Sequence, residues 1–439
     1  MDKEQLLKMY AALKNNPGEL VKAASRNRLI NFARYMQPDL ALEPFHVVYY
    51  TLLDKFAHGE IKKMIVQMPP QHGKSEGSSR KLPSFMLGLN PDTKICIGSY
   101  AATIARDFNR DVQRIIDTPK YREIFPKTFL NGSNVVTMAN TYLRNSDVIE
   151  MVGHKGSLRV VGRGGALTSK TVDVMIMDDV YKDYSEGNSP IVRNAAWKWY
   201  TTVVKKRLHN KSQELIVFTR WHEEDLIGKI EKGGEKIIDI KSWDSIKNIP
   251  DGAWVRINFE ALKTGEPNEI DPREPGAALW ESMHSRAKLE RERALDPIQF
   301  QCLDQGNPGS AEGRLYRNPF RTYVDKSEWG TFVRSGNYTD VADEGDDFTF
   351  SACYDVYKSG NEAWNEQKKR FEPILYALIT DMVFTQENTE VTAVTVPEMI
   401  NRCGTQKAWI ESNNGGSGFE KVIRKKLKAV TEPFYQGAN

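Results

Sequence analysis

The sequence predicts an α/β protein in two parts: a mostly parallel sheet carrying a phosphate-binding turn, then a smaller strand-rich α/β unit. Three observations predict it. From Lys62 onward, short apolar runs alternate with helical stretches, without the tight two-residue turns that join antiparallel neighbours. The first such run leads directly into Met68-Pro69-Pro70-Gln71-His72-Gly73-Lys74-Ser75-Glu76, a Pro/Gly turn that closes on Gly-Lys-Ser. The alternation then resumes at Gly336, after an interval dense in turn residues.

A chain of 439 residues is too long for one ordinary core, so two domains are expected. With 40% hydrophobic and 27% charged residues, the composition is that of a soluble globular protein. No apolar run approaches the roughly 18 residues needed to span a bilayer, and the start, MDKEQLLKMY, lacks a signal-peptide core. These features predict an intracellular protein with no membrane partner. The four cysteines, Cys96, Cys302, Cys353 and Cys403, form no C-x-x-C pair and suggest neither a disulfide framework nor a zinc site. A formal net charge of +3 neither demands nor excludes a polyanionic partner. Basic residues cluster in 198–211 and 421–428, as solvated helix faces or as nucleic-acid contacts.

Taken in order, residues 6–13 and 29–35 carry apolar side chains at helical spacing, interrupted at Asn16-Pro17-Gly18. A helical lead-in over 1–60 follows. Strands are predicted at 64–67, 95–99, 157–162, 172–177 and 214–219, with helices at 75–86 and 103–116 between them. This is a core spanning 61–228. Clusters such as Gly233-Gly234, Pro250-Asp251-Gly252 and Asn307-Pro308-Gly309 surround one helix at 285–294, predicting an accessory subdomain over 229–315 and a linker over 316–335. The second unit, 336–439, has predicted strands at 348–357, 374–383 and 408–411 and a helix at 396–403.

The turn carries the first chemistry. A strand entering a turn that ends in Gly73, Lys74 and Ser75 aims backbone N–H groups at a polyphosphate, adds a lysine charge, and offers a hydroxyl to Mg²⁺. The full pattern G-x-x-x-x-G-K-[ST] has glycine where Met68 stands, so a plain surface turn is the competing reading. A phosphate cradle also needs an acidic partner. Residues 172–179 supply an apolar strand ending in Asp178 and Asp179, the first placed to hold Mg²⁺ and the second to orient or deprotonate water. The two elements are expected on successive strands of one βαβ-type unit.

At this point the chain resembles the large terminase subunits of tailed bacteriophages. Residues 69–76 resemble their P-P-R-H-G-K-S-E loop, and 98–101 with the following helix, 162–183 and 219–226 (Thr-Arg-Trp-His-Glu-Glu-Asp-Leu) match in the same order. The family couples ATP hydrolysis to pumping viral DNA into a preformed capsid and carries its own DNA-cutting nuclease. The resemblance implies a P-loop ATPase of additional-strand type followed by a ribonuclease-H-like nuclease. It places Gln71, His72, Gly73, Lys74, Ser75 and Glu76 on ATP, Asp178 as the Walker B aspartate, Asp179 as catalytic acid, and Thr219 with Arg220 as the coupling element. Two departures stand out. Asp179 is glutamate in most of the family, one methylene longer, which predicts slower hydrolysis. Gln71 stands where the family's loop has arginine, so another arginine, from this chain or a neighbouring subunit, must stabilise the transition state. His46, in Leu42-Glu43-Pro44-Phe45-His46, falls where related motors read adenine, and is either a base contact or a packed histidine.

A second constellation lies in the later unit. Two-metal DNA cleavage needs carboxylates from different strand ends holding ions about 4 Å apart. Asp340, in Asn337-Tyr338-Thr339-Asp340-Val341-Ala342, and Glu411, in Ala408-Trp409-Ile410-Glu411-Ser412-Asn413, are the expected pair, and the resemblance makes them nuclease ligands for two Mg²⁺ or Mn²⁺. Asp347, in the acidic run 343–347, is a further ligand or part of a solvated loop, and Asp381 is structural. The family's third acid, from a late helix, has no counterpart before Asn439; Glu420 and Glu432 come too early, and a shortened nuclease with weak metal affinity is expected. Further implied are double-stranded DNA, a small terminase subunit and a portal or procapsid as partners, a ring on the portal from a subunit that is monomeric in solution, and the cytoplasm of the infected or lysogenic host rather than the virion. The competing readings are a helicase-like repair ATPase and nuclease without a capsid partner, and a nucleotide-gated DNA-binding protein with inactive sites.

Overall fold

The computed structural model describes residues 17–136, 141–167, 171–309, 330–341, 348–365, 368–411 and 416–434. The chain divides into two compact units, the first ending at Pro319. Among the described residues, no helix is long and apolar enough to cross a membrane.

The first unit is built on β1 (Lys63–Gln67), β2 (Lys94–Ser99), β3 (Val148–Glu150), β4 (Ser157–Gly162), β5 (Val172–Asp178), β6 (Leu208–Val217), β7 (Ile237–Asp239) and β8 (Trp254–Asn258). They form one eight-stranded sheet in the order β3-β4-β2-β5-β6-β1-β8-β7. Every pair is parallel except the edge pair β3/β4. Parallel central strands are covered on both faces, which is why Met64, Ile65 and Val66 of β1 and Met175, Ile176 and Met177 of β5 are all buried.

This order corrects one expectation. The phosphate turn and the Asp178 strand are not neighbours, because β6 is inserted between them: Lys63–Val66 pair with Glu214–Val217, which also pair with Met175–Asp178. The inserted strand is the additional strand that the resemblance implied. Leu215, Ile216 and Val217 are fully buried, so only this central position satisfies their apolar surface. The ladder of β6 stops at Val217, and Phe218 and Thr219 leave it at the carboxyl edge.

Boundaries differ too. The parallel sheet continues past residue 228, since β8 lies directly beside β1, with Trp254 fully buried and its indole N–H donating to Glu235 at 2.6 Å. Only the later stretch builds a core of its own, from Ala261, Leu262, Ala278, Leu289 and Phe300. The expected linker overlaps β9 (Thr331–Asp340), and 310–329 lie outside the described residues.

Helices set the edge of the site. The predicted helix after the turn is a π-helical stretch, Glu76–Lys81, running into the α-helix Leu82–Leu89, whose Pro83 occupies the first turn. The helix Pro44–Ala57 occupies the segment read as an adenine contact. Its start is locally coded: Pro44 sits at the first helical position, and Glu43 and His46 form a reciprocal capping box. Its inner face buries Tyr49, Leu52, Leu53 and Phe56.

The second unit is a five-stranded sheet, order β11-β10-β9-β12-β13, with β10 (Thr349–Asn365), β11 (Arg370–Thr385), β12 (Lys407–Glu411) and β13 (Val430–Phe434). The first three strands form an antiparallel meander, and β12 and β13 add parallel to β9. This is the ribonuclease-H-like arrangement expected. The helices Thr389–Arg402 and Gly416–Arg424 pack on one face, where Val396, Met399, Ile400, Phe419 and Ile423 meet Cys353, Ala408 and Ile410. The first of them starts seven residues earlier than the sequence suggested, because Asn388 caps it by accepting from the Val391 N–H. Along β11, Leu375, Ile379, Met382 and Phe384 are exposed, Phe384 to 63%.

Candidate nucleotide site and carboxylate pair

The turn after β1 is shaped by two left-handed residues, Gln71 (φ 58°) and Gly73 (φ 82°). Alternation of this kind directs successive N–H groups to one concave side, an anion-binding nest at a helix start. Glycine adopts such a φ freely; for glutamine it costs about 1 kcal/mol, so the surrounding structure must hold residue 71 in place.

Side chains from three central strands converge on this cradle. The Lys74 ammonium donates to Thr219 Oγ1 at 2.8 Å and pairs with Asp179 Oδ2 at 3.0 Å. The Ser75 hydroxyl donates to Asp178 Oδ1 at 3.1 Å, and Ser79 Oγ donates to Asp178 Oδ2. The insertion of β6 brings Thr219 between the other two elements. Asp179 is fixed through its backbone: its N–H donates to Val217 O (3.1 Å), and its carbonyl accepts from the Tyr100 N–H (2.8 Å) and Ser99 Oγ (3.2 Å). Its φ of 46° takes it out of the β5 ladder, and its carboxylate meets Lys74.

Asp178 is fully buried. Burial, and next the Asp179 charge, push its carboxyl up to about 6 against the pull of Lys74, Ser79 and Ser75. A buried carboxyl raised in this way, with two serine hydroxyls beside it, is a hard-oxygen donor set suited to a cation.

Other expected site residues are placed differently. Glu76 is engaged by Lys81 at 2.8 Å, along the helix rather than toward the cradle. The guanidinium of Arg220 is buried against Asp225 at 2.7 Å, and Asp225 also caps the helix Leu226–Lys232 by accepting from the Gly228 N–H. Thr219 and Arg220 therefore face different tasks. His46 has no ring nitrogen left for a base: Nδ1 accepts from the Glu43 N–H at 3.0 Å, and Nε2 donates to His72 O at 3.2 Å. Of the two readings left open, base contact or packed histidine, these contacts favour the second, with the ring bracing the turn. The His72 ring lies beneath the turn, its Nδ1 donating to Pro70 O at 2.7 Å, and burial depresses it to about 4.

Sequence reasoning missed Ser78, Ser79, Tyr49 and His284. The Gly77-Ser78-Ser79 triplet one turn after Ser75 is the signal for the serines. Ser78 donates back to Lys74 O at 2.9 Å, as does the Tyr49 hydroxyl at 2.6 Å, so the first helical turn is tied from two sides.

In the second unit the register sets Ile410 opposite Thr339, which puts Glu411 beside Asp340 at the carboxyl ends of adjacent parallel strands. Burial and then the Glu411 and Asp340 charges raise the Tyr338 hydroxyl, which lies near both acids. Among the described residues no group of three or more His, Cys, Asp or Glu side chains forms a metal site. Asp347 lies outside the described residues. Asp381 pairs with Arg402 at 2.6 Å, in keeping with a structural role.

Fold and site define the class: a P-loop nucleoside-triphosphatase core with an additional strand, followed by a ribonuclease-H-like unit. A family model, the terminase large subunit of T4likevirus type, N-terminal, matches residues 65–316, and the chain belongs to that family. Among solved structures, the large terminase of bacteriophage HK97 is similar at 11% identity, covering 94% of this chain and 85% of that one, with a TM-score of 0.40. The large terminase ATPase domain of Thermus phage P74-26 is 17% identical over 56% of this chain and 88% of its own, TM-score 0.34. A large terminase from a thermophilic bacteriophage, in complex with ATP-gamma-S, is 10% identical over 88% of this chain and 81% of its own, TM-score 0.29. No curated protein matches the chain.

Proposed function

We propose that the chain is the ATP-hydrolysing subunit of a phage DNA-packaging motor, moving double-stranded DNA into a procapsid and cutting it with its second unit. The observation that carries the first half is the meeting of Lys74, Ser75, Asp178, Asp179 and Thr219 at the carboxyl ends of three adjacent strands. That is where an open α/β sheet binds its ligand.

In this reading the nest N–H groups bind the phosphates of ATP. Lys74 exchanges Thr219 and Asp179 for the β- and γ-phosphates. Ser75 and Asp178 hold Mg²⁺, which when bound neutralises charge on the transferring phosphoryl group. Freed from Lys74, Asp179 orients the attacking water, and Thr219 carries the change in Lys74 into β6. Lys74 thus acts as a latch: without nucleotide it restrains both the catalytic acid and the coupling threonine.

The second unit contributes Asp340 and Glu411, adjacent oxygen donors of the kind that Mg²⁺ or Mn²⁺ takes. We place the protein in the host cytoplasm, acting with a small terminase subunit and the portal as a ring of identical chains. The test is motion: with ATP and Mg²⁺ the chain displaces a third strand from triplex DNA without separating the duplex. ATP-dependent unwinding of the duplex would instead make it a helicase-like repair enzyme.

A further inference from the structure

The turn that cradles phosphate is backed by a cluster of rings with no part in the reading above. His72 projects under the turn, and the His284 ring stacks on it, centroids 4.5 Å apart and planes 22° from parallel. Trp280, four residues before His284, sets its edge against His46 at 4.9 Å and 89°, and against His72 at 6.1 Å. Phe45 closes the group, 6.0 Å from both His72 and Trp280. All three histidines are buried: His46 to 3% exposure, His72 to 1% and His284 to 7%.

The polar atoms of this cluster point one way. His46 Nε2 donates to the His72 carbonyl, and His72 Nδ1 donates to the Pro70 carbonyl, so two carbonyls of the turn are tied back to buried rings. Gln71, the strained residue, lies between them. Lys288 Nζ donates to His284 Nδ1 at 3.1 Å, and the His284 backbone N–H donates to Trp280 O at 2.7 Å, which fixes the ring that caps His72. Burial, and next the Lys288 charge, hold the His284 imidazole below the usual histidine range, against the pull of the Gln71 backbone beside it. His72 Nε2 is buried without a hydrogen-bond partner, and the His284 ring meets the Gln71 backbone as well as the His72 face. The two imidazoles are thus joined through their faces, and neutral faces stack where charged ones would repel.

We propose that His284 is a positioning residue for ATP binding: its stacking on His72 holds the left-handed Gln71 conformation and presets the nest. It reaches the turn from the stretch that follows β8, distant in sequence from every phosphate-binding residue. The proposal deepens the nucleotide reading and rests on it. His284 touches no substrate; it acts through the His72 ring and the Gln71 backbone beside it.

The experiment measures ATP affinity and the KM–kcat split for wild type, His284→Ala, His284→Phe and Lys74→Ala, with thermal unfolding of each protein free of nucleotide. Loss of one stacked aromatic pair corresponds to about a three- to tenfold effect. His284→Ala is expected to weaken ATP binding by that factor with kcat nearly unchanged. His284→Phe keeps a flat ring and should return affinity to within about twofold of wild type. Unchanged affinity in His284→Ala would overturn the proposal, as would a His284→Phe no better than His284→Ala while unfolding at the wild-type temperature. If His284→Ala lowers only the unfolding temperature, the role is structural and the proposal is wrong. If Lys74→Ala binds ATP as well as wild type does, the nucleotide assignment itself has failed. If Lys74→Ala loses binding and His284→Ala keeps it, only the positioning role has.

Discussion

The two candidate sites of this chain are built to different degrees. The nucleotide site is a closed network: Asp178 accepts from Ser75 and Ser79, Lys74 reaches Thr219 and Asp179, and the turn is tied from behind by Tyr49, His46 and His72. The carboxylate pair consists of Asp340 and Glu411 on neighbouring strand ends of a sheet whose core lies under two helices. The difference teaches where each chemistry stores its precision. The turn is preset by backbone and helix-turn contacts, whereas the carboxylates are brought together by strand register.

The comparison breaks most sharply through Asp340. Asp340→Ala is expected to lower Mn²⁺-dependent nicking of plasmid DNA by at least about 10²-fold, while ATP turnover stays at the wild-type rate. Gel assays and phosphate release on one preparation check it. Nicking that survives the substitution would remove the pair from the chemistry.

Asp178→Asn separates function from stability. It is expected to abolish hydrolysis and to make the nucleotide-free protein more stable at pH 8, by about 1–3 kcal/mol. The sign follows from the upward shift. A carboxyl whose folded value is about 6 instead of 3.8 opposes folding while ionised, and that penalty lifts as pH falls through 6 toward 4. Denaturant unfolding at pH 5 and pH 8 should show the gain at pH 8 shrinking at pH 5.

The smallest expected effect is that of Ser79→Ala. Losing a hydrogen bond to a charged group raises Asp178 further, so the acid limb of the kcat/KM profile should move toward neutral by up to about one pH unit. A profile that does not move would mean that Ser79 leaves Asp178 unaffected.

What was legible in the sequence follows the same division. Residues 64–76 form a continuous strand, turn and helix start, so their chemistry could be read from local order, whereas Ser78 and Ser79 one turn on were missed. Asp178 and Asp179 were legible as the polar end of an apolar strand. That β6 would lie between these elements was not, because the apolar run at 214–217 fits any fully buried parallel position. His46 was left open between base contact and packed histidine, although Pro44 and Glu43 already encode a helix start whose capping box engages one ring nitrogen. His284 was illegible in principle, since a ring stack between residues 72 and 284 leaves no periodic trace. The β7 and β8 strands were hidden by the turn residues around them, which pointed to a separate subdomain although Trp254 belongs to the central sheet. In the second unit Asp340 and Glu411 were visible as acids at strand ends, and their adjacency emerged only with the β9/β12 register.

The most direct test of the account is steady-state ATP hydrolysis with and without duplex DNA, for wild type and Lys74→Ala. The account predicts Mg²⁺-dependent turnover that duplex DNA stimulates, and a loss of about 10³-fold or more in the variant. Turnover that persists in Lys74→Ala, or its absence from wild type at every DNA concentration, would contradict it.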